Sequence, residues 1–126
     1  MLDELIVIVD DKRTFYSEVF DHAFYARNSP DAMALLGEIW VDQQVDYGVK
    51  ISRLYLDHDL GYDLKREKLD DVELVVNFID CLAKTGTPLL IDEICIHSMN
   101  PTAERFIMTL KKNYAVSRIQ LPALKE

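Results

Sequence analysis

One stretch, from residue 51 to residue 61, constrains the fold more than any other part of the chain. Residues 51–56 form a mostly apolar run that suits a buried strand, but Asp57, His58 and Asp59 follow it at once. Two carboxylates and an imidazole after a buried strand are costly unless a ligand or water uses them. Because open parallel sheets bind ligands just beyond the carboxyl ends of their strands, we expect a site there.

Two other apolar runs end in the same way. The run Leu5–Val9 is apolar throughout, with β-branched residues from position 6 to position 9, and stops at Asp10 and Asp11. The run 89–96 is followed by His97 and Ser98. A continuous run of this kind predicts a strand that is buried on both faces, as in a parallel sheet. Three separate strand ends therefore carry side chains capable of chemistry.

Strand patterns alternate with helix patterns along the whole chain. This alternation predicts right-handed crossovers and a parallel sheet covered on both faces. At this length it indicates an α/β, flavodoxin-like, three-layer fold with a five-stranded parallel sheet. We expect further strands at 23–27 and 116–121, while 14–21 fits a short helix or an ordered loop.

The helices are predicted from caps and apolar spacing. Ser29 is the expected cap of the first helix, with Pro30 at its start, and residues 43–50 are expected to form a loop. A second helix is predicted from Leu69 to Lys84, after a surface loop at 62–68. This second helix is predicted to stop at Gly86. A third helix is predicted after a cap at Asn100, with an inner face made by Ala103, Phe106, Ile107 and Leu110.

Composition limits the functional classes. The chain has 126 residues, which we interpret as one domain spanning 1–126, and a net charge of -8, which argues against binding duplex nucleic acid. We expect no membrane span and no signal peptide. Cys81 and Cys95 lie in apolar runs and are interpreted as buried free thiols, which favours a cytoplasmic protein. The oligomeric state does not follow from the sequence.

The predicted topology brings acidic strand ends together. Asp10, Asp11, Asp57 and Asp59 would then converge at one edge of the sheet. Clustered carboxylates repel one another, and a hard divalent cation such as Mg²⁺ relieves this repulsion. The sequence therefore predicts a magnesium site, whereas zinc is less favoured because the histidine and cysteine spacings of zinc sites are absent.

Groups suited to proton transfer and phosphate binding accompany the acidic residues. His58 and His97 can exchange protons near neutral pH, and the planar guanidinium of Arg13 can hold a phosphate oxygen. Backbone amides at the helix start after Asn100 offer an anion site, and Ser98 can donate a hydrogen bond or act as a nucleophile. Taken singly, each of these residues has a structural alternative, such as a helix cap or a turn.

The acidic strand ends resemble those of the receiver domains of bacterial response regulators. In that family an acidic pair and a third-strand Asp bind Mg²⁺, and this Asp accepts a phosphoryl group; Asp10, Asp11 and Asp57 match those positions. Receivers carry Ser or Thr at the end of the fourth strand. In this chain His97 lies near that position, and Ser98 follows it. Receivers also carry Lys before a Pro at the end of the fifth strand, where this chain has Leu121.

Three motifs together resemble the cyclic-phosphate processing receiver domain family over nearly the whole chain. They are D-D-x-R at residues 10–13, L-D-H-D-L-G at 56–61 and H-S-x-N-P at 97–101. The resemblance implies action on cyclic phosphates, either at RNA ends or on cyclic nucleotides. Position 103 is a departure, since many members have Gly where this chain has Ala103.

Three hypotheses remain open from the sequence. The first is a metal-assisted phosphoesterase or cyclic phosphodiesterase whose substrate is a phosphorylated small molecule or an RNA end. The second is a non-catalytic interaction module derived from a receiver. The third is a signalling receiver that accepts a phosphoryl group at Asp57, which the missing Lys disfavours.

Overall fold

A computed structural model of the chain describes residues 5–10, 14–15, 23–46, 48–57, 59–63, 68–97, 103–118 and 124–125. Among these residues, five strands form the main sheet: β1 (Leu5–Val9), β3 (Phe24–Ala26), β4 (Ile51–Asp57), β7 (Ile91–His97) and β8 (Val116–Arg118). The central strand β4 contains the predicted apolar run and ends at Asp57, the first residue of the Asp-His-Asp sequence.

The main sheet is parallel throughout and has the order β3-β1-β4-β7-β8. Val9 pairs with both Ala26 and Leu56, and Leu56 pairs in turn with Ile96. All described strands of this sheet therefore end at one common edge, here called the carboxyl edge. The predicted flavodoxin-like, receiver-like sheet is confirmed.

Within the described residues, three helices connect these strands: α1 (Ser29–Val45), α2 (Glu73–Lys84) and α3 (Ala103–Leu110). Their buried residues share one core with Val7, Leu54 and Ile94 of the sheet, so the three helices cover the same face. Ile8 and Tyr55 lie on the other face, called here the second face, and they are also buried, with exposed fractions of 0% and 5%. Both faces of the sheet are thus shielded from solvent.

Helix α1 differs from the prediction at both of its ends. Asn28, not Ser29, is the cap, and its side chain accepts a hydrogen bond of 2.8 Å from the amide of Asp31. The helix continues to Val45, so the expected loop at 43–50 was wrong in its first part. The polar side chain of Gln43 suggested a loop, but it is buried and bonded to the backbone of Leu90.

A β-hairpin occupies the segment after the central strand. Strand β5 (Asp59–Asp63) pairs antiparallel with β6 (Lys68–Asp71), so the surface loop predicted at 62–68 was wrong where the structure describes it. The predicted helix start at Leu69 was also wrong, because α2 begins at Glu73. The predicted stop at Gly86 is confirmed by its positive φ of 88°.

Smaller predictions have mixed outcomes. Strand β2 (Thr14–Phe15) pairs with β9 (Leu124–Lys125), so these two residues form neither a helix nor a loop. The predicted inner face of α3 is confirmed, while its expected cap Asn100 lies outside the described residues.

Both thiols are free, but only Cys95 is buried, and Cys81 is exposed, contrary to the prediction. In the described part of the chain, no helix is long and apolar enough to cross a membrane.

Candidate functional site

Asp10 stands at the carboxyl edge directly after β1. Its amide donates a hydrogen bond of 3.1 Å to the carbonyl oxygen of Ala26, and its carbonyl accepts one of 3.2 Å from Nη1 of Arg27. The residue is only 1% exposed. The neighbouring strand β3 therefore fixes the backbone of this acidic position from one side.

Asp57 and His97 are direct partners in the pairing of β4 with β7. Because Val9 pairs with Leu56, the next residues, Asp10 and Asp57, are also neighbours at the carboxyl edge. Adjacent strands lie roughly 4.8 Å apart, so these three positions fall within about 10 Å along the edge. The register therefore places the ends of β1, β4 and β7 side by side. The predicted topology made these three strand ends neighbours.

Strand alternation assigns these positions to one face. Successive residues of a strand point to opposite faces, and Val9 and Leu56 belong to the core beneath the helices. Asp10 and Asp57 therefore continue the alternation of Ile8 and Tyr55, which line the second face. The two carboxylates belong to the same side of the same edge.

The remaining predicted residues are placed only in part. Asp59 begins β5, and its backbone pairs with Asp71 in the hairpin rather than with the main sheet. The other predicted site residues lie outside the described residues: Asp11, Arg13, His58, Ser98 and Asn100.

The described donors suit a hard cation but do not complete a cation site. Asp10 and Asp57 supply carboxylate oxygens from adjacent strands, the type of ligand that Mg²⁺ prefers. Within the described residues, no three His, Cys, Asp or Glu side chains are grouped closely enough to hold a metal. These two carboxylates would need further ligands, and the sequence predicts Asp11 as one of them.

A thiol on the second face, Cys95, is unsuited to nucleophilic chemistry. Burial and the nearby Glu93 raise the pKa of the Cys95 thiol to about 12, and its Sγ lies 3.6 Å from Oε1 of Glu93. The thiolate is the nucleophilic form of cysteine, so this group is inert near neutral pH.

Sequence reasoning missed one cation at the carboxyl edge. Arg27 follows β3, and its guanidinium contacts the backbone of Asp10, as described above. The rule that drew attention to Asp10 and Asp57, a charged residue directly after a strand, would have found Arg27 as well. The predicted strand 23–27 included Arg27, whereas β3 ends at Ala26, so the sequence did not mark Arg27 as a residue that follows a strand.

The parallel sheet, its strand order and the acidic residues at its carboxyl edge define a receiver-like domain. The family model for the cyclic-phosphate processing receiver domain matches residues 5–113, which is most of the chain. The chain belongs to this family. Searches of curated proteins and of solved structures give no match.

Proposed function

We propose that this protein hydrolyses cyclic phosphates, at RNA ends or in small cyclic nucleotides, with the help of a divalent cation. The observation that carries the proposal is the pairing of Asp57 with His97, beside Asp10, at the carboxyl edge. The family to which the chain belongs is named for cyclic-phosphate processing. The imidazole can exchange protons near neutral pH and the carboxylate can bind a divalent cation, which are the two functions that the proposed hydrolysis uses.

The proposed reaction adds water across one P–O bond of the cyclic phosphate. One histidine of the pair His58 and His97 removes a proton from water as its oxygen attacks phosphorus. The other donates a proton to the ester oxygen that leaves, and the product is a phosphomonoester with a free hydroxyl group. General acid–base catalysis of this kind contributes about 10²–10⁴-fold per group.

The other predicted residues would bind the cation and orient the phosphate group. Asp10, Asp11 and Asp57 would hold Mg²⁺, with Asp59 in support, and the bound cation would supply positive charge to the phosphate oxygens. Arg13, Ser98 and the amides after Asn100 would position the phosphate through charge-assisted hydrogen bonds.

The decisive experiment is a hydrolysis screen with purified protein. Cyclic mononucleotides and short RNAs that end in a cyclic phosphate are incubated with Mg²⁺ or with a chelator, and phosphomonoester products are measured. We expect turnover that needs the cation, and a loss of about 10²–10⁴-fold in His97→Ala and in His58→Ala.

The matched control is Asp92→Asn, at the opposite end of the same strand as His97. Asp92 forms an exposed ion pair with Lys50, 3.1 Å between Nζ and Oδ1, and exposed pairs contribute little to stability. This variant should keep the parent rate. Parent rates in both histidine variants would contradict the acid–base roles.

The same preparation separates the two alternatives. Protein that shows no turnover but gains the mass of one phosphoryl group from a small phosphodonor, and loses that gain in Asp57→Asn, would be a signalling receiver. Protein that shows neither turnover nor phosphorylation would be an interaction module, and the hydrolase proposal would then be wrong.

A further inference from the structure

We propose that a cavity at the amino edge of the main sheet binds a small apolar α-amino acid. The amino edge is the edge at which β4 and β7 begin, opposite the carboxyl edge. The cavity has a volume of about 290 Å³, and its lining includes Lys50, Leu89, Ile91, Asp92, Asn113 and Tyr114. The inference does not depend on the proposed function, because the described residues that line the cavity take no part in that scheme.

The cavity lies between the starts of two strands and the ends of two helices. Lys50 directly precedes β4, and Asp92 is the second residue of β7. Ala83 lies in the last turn of α2, while Asn113 follows α3. Along β4 the distance from the cavity to Asp57 is about 20 Å, since a strand rises about 3.3 Å per residue. The cavity is therefore separate from the candidate functional site.

The cavity wall formed by the segment between α2 and β7 is held by side chains from distant parts of the chain. Nε1 of Trp40 donates a hydrogen bond of 2.9 Å to the carbonyl oxygen of Thr87. The hydroxyl of Tyr114 donates one of 2.6 Å to the carbonyl oxygen of Leu89, and Gln43 bonds to both backbone groups of the next residue. A wall fixed in this way needs little reordering when a ligand binds, which lowers the entropic cost of binding.

The same wall supplies an apolar surface. The apolar residues that line the cavity are Ala83, Pro88, Leu89, Leu90 and Ile91. Small-molecule sites are lined mostly by apolar side chains with a few polar groups, and their volumes begin at about 300 Å³. A cavity of this size and lining suits a ligand of few atoms with an apolar side chain.

Solvent-accessible charges of both signs accompany this apolar wall. Nζ of Lys50 lies 3.1 Å from Oδ1 of Asp92, and the two side chains are 50% and 53% exposed. An exposed pair of this kind contributes little to stability, so a ligand can separate it at low cost. A ligand with a single charge would pair with one of the two groups and leave the other unpaired. An α-amino acid carries an ammonium group and a carboxylate on one carbon atom, so it can pair with both.

The helix ends favour one orientation of such a ligand. The carboxyl-terminal end of a helix carries partial negative charge, and α2 and α3 both end at the cavity. This charge adds to that of Asp92 and attracts the ammonium group, while Lys50 binds the carboxylate. The apolar side chain of the ligand is then left to contact the apolar wall.

The test uses calorimetry, with L-leucine as the probe and three ligands that each lack one of its groups. Isoamylamine lacks the carboxylate, isocaproate lacks the ammonium group and glycine lacks the apolar side chain. Binding is measured for the parent protein, Asp92→Asn, Lys50→Gln and Ala83→Leu, which fills the cavity. The matched control is Arg105→Gln, since Arg105 also forms an exposed ion pair, 3.4 Å from Glu73, but at the start of α3 and away from the cavity.

We expect leucine to bind the parent protein and each incomplete ligand to bind about 10- to 100-fold more weakly, because a charged hydrogen bond or a buried side chain is lost. Asp92→Asn and Lys50→Gln should weaken leucine binding by a similar factor, and Ala83→Leu should abolish it. Arg105→Gln should stay within about twofold of the parent protein. The hydrolysis screen contains no amino acid, so the parent rate expected there for Asp92→Asn is unaffected.

Thermal unfolding of each variant shows that it is folded, and the two charge variants keep the test decisive if Ala83→Leu does not fold. Failure of leucine to bind the parent protein at millimolar concentrations would overturn the proposal, as would unchanged binding in both charge variants. If isoamylamine binds as tightly as leucine and Lys50→Gln has no effect, the cavity takes a cation and the assignment to an amino acid is wrong. None of these results bears on the proposed hydrolysis.

Discussion

At the scale of single residues, the side chain of Gln43 has the clearest structural role. Its Nε2 donates a hydrogen bond of 3.1 Å to the carbonyl oxygen of Leu90, and its Oε1 accepts one of 2.8 Å from the amide of the same residue. Gln43 is 1% exposed. One buried amide therefore satisfies both backbone groups of the residue that precedes β7.

Gln43→Leu should lower the free energy of unfolding by about 1–3 kcal/mol, because the amide of Leu90 loses its acceptor, whereas the Leu90 carbonyl keeps its hydrogen bond of 3.1 Å from the amide of Ile51. The matched control is Gln44→Leu, since Gln44 is exposed and bonds only to the Trp40 carbonyl of its own helix. That change should stay within about 0.5 kcal/mol. Urea unfolding measures both values, and equal effects would contradict the role assigned to Gln43.

The sequence concealed this role for a physical reason. A glutamine followed by further polar residues and a glycine resembles a loop, and nothing local shows that a distant backbone segment, 47 residues away, will need its amide. The same limit explains Cys81, which has apolar neighbours on α2 but is exposed. Residue-level burial depends on which face of a helix meets the sheet.

At the scale of elements, we expect the side-chain cap at the start of α1 to contribute to the stability of the protein. Asn28 Oδ1 accepts a hydrogen bond of 2.8 Å from the amide of Asp31, one of the helix-start amides that lack an intrahelical partner. Asn28→Ala should cost about 0.5–2 kcal/mol of stability, whereas Asn28→Ser keeps an acceptor and should cost much less. Denaturant unfolding distinguishes them, and a serine variant as unstable as the alanine variant would show that Asn28 is not the cap.

Element types were predictable where the pattern was local. The strands β1 and β4 and the inner face of α3 follow from apolar runs and helical spacing. The β5–β6 hairpin was not predictable in this way, because Leu69 has the apolar spacing of the following helix and pairs instead with Tyr62. Pairing between segments decided its structure, and spacing within one segment does not report on pairing.

At the scale of the whole molecule, the protein should lose stability as the pH rises above about 9. Burial raises the pKa of the Cys95 thiol from 9.0 and that of the Tyr114 phenol from 10.0, each to about 12. Between these values the unfolded chain releases protons that the folded chain keeps, so the free energy of unfolding falls with increasing pH. At pH 7 to 8 both groups are protonated in both states.

Unfolding measured in urea at intervals from pH 8 to pH 11 checks this expectation. Tyr114→Phe should flatten the decline above pH 10, although it also removes the hydrogen bond of 2.6 Å to the Leu89 carbonyl and lowers stability at every pH. A parent protein of constant stability across this range would contradict the buried state of both groups.

The arrangement of the candidate site was predictable at this scale because parallel strands share one carboxyl edge. Strand order and register then decide which ends are neighbours, and these place Asp10, Asp57 and His97 side by side. Residues such as Arg13 and His58 lie outside the described residues, so their roles stay predictions.

The brevity of β3, the outermost strand beside β1, affects how copies of this protein behave when crowded. It contributes three residues and is followed within a few positions by Pro30. A second chain that paired with β3 would form few backbone hydrogen bonds, because the strand is so short. Short edge strands of this kind oppose fibre growth and aggregation.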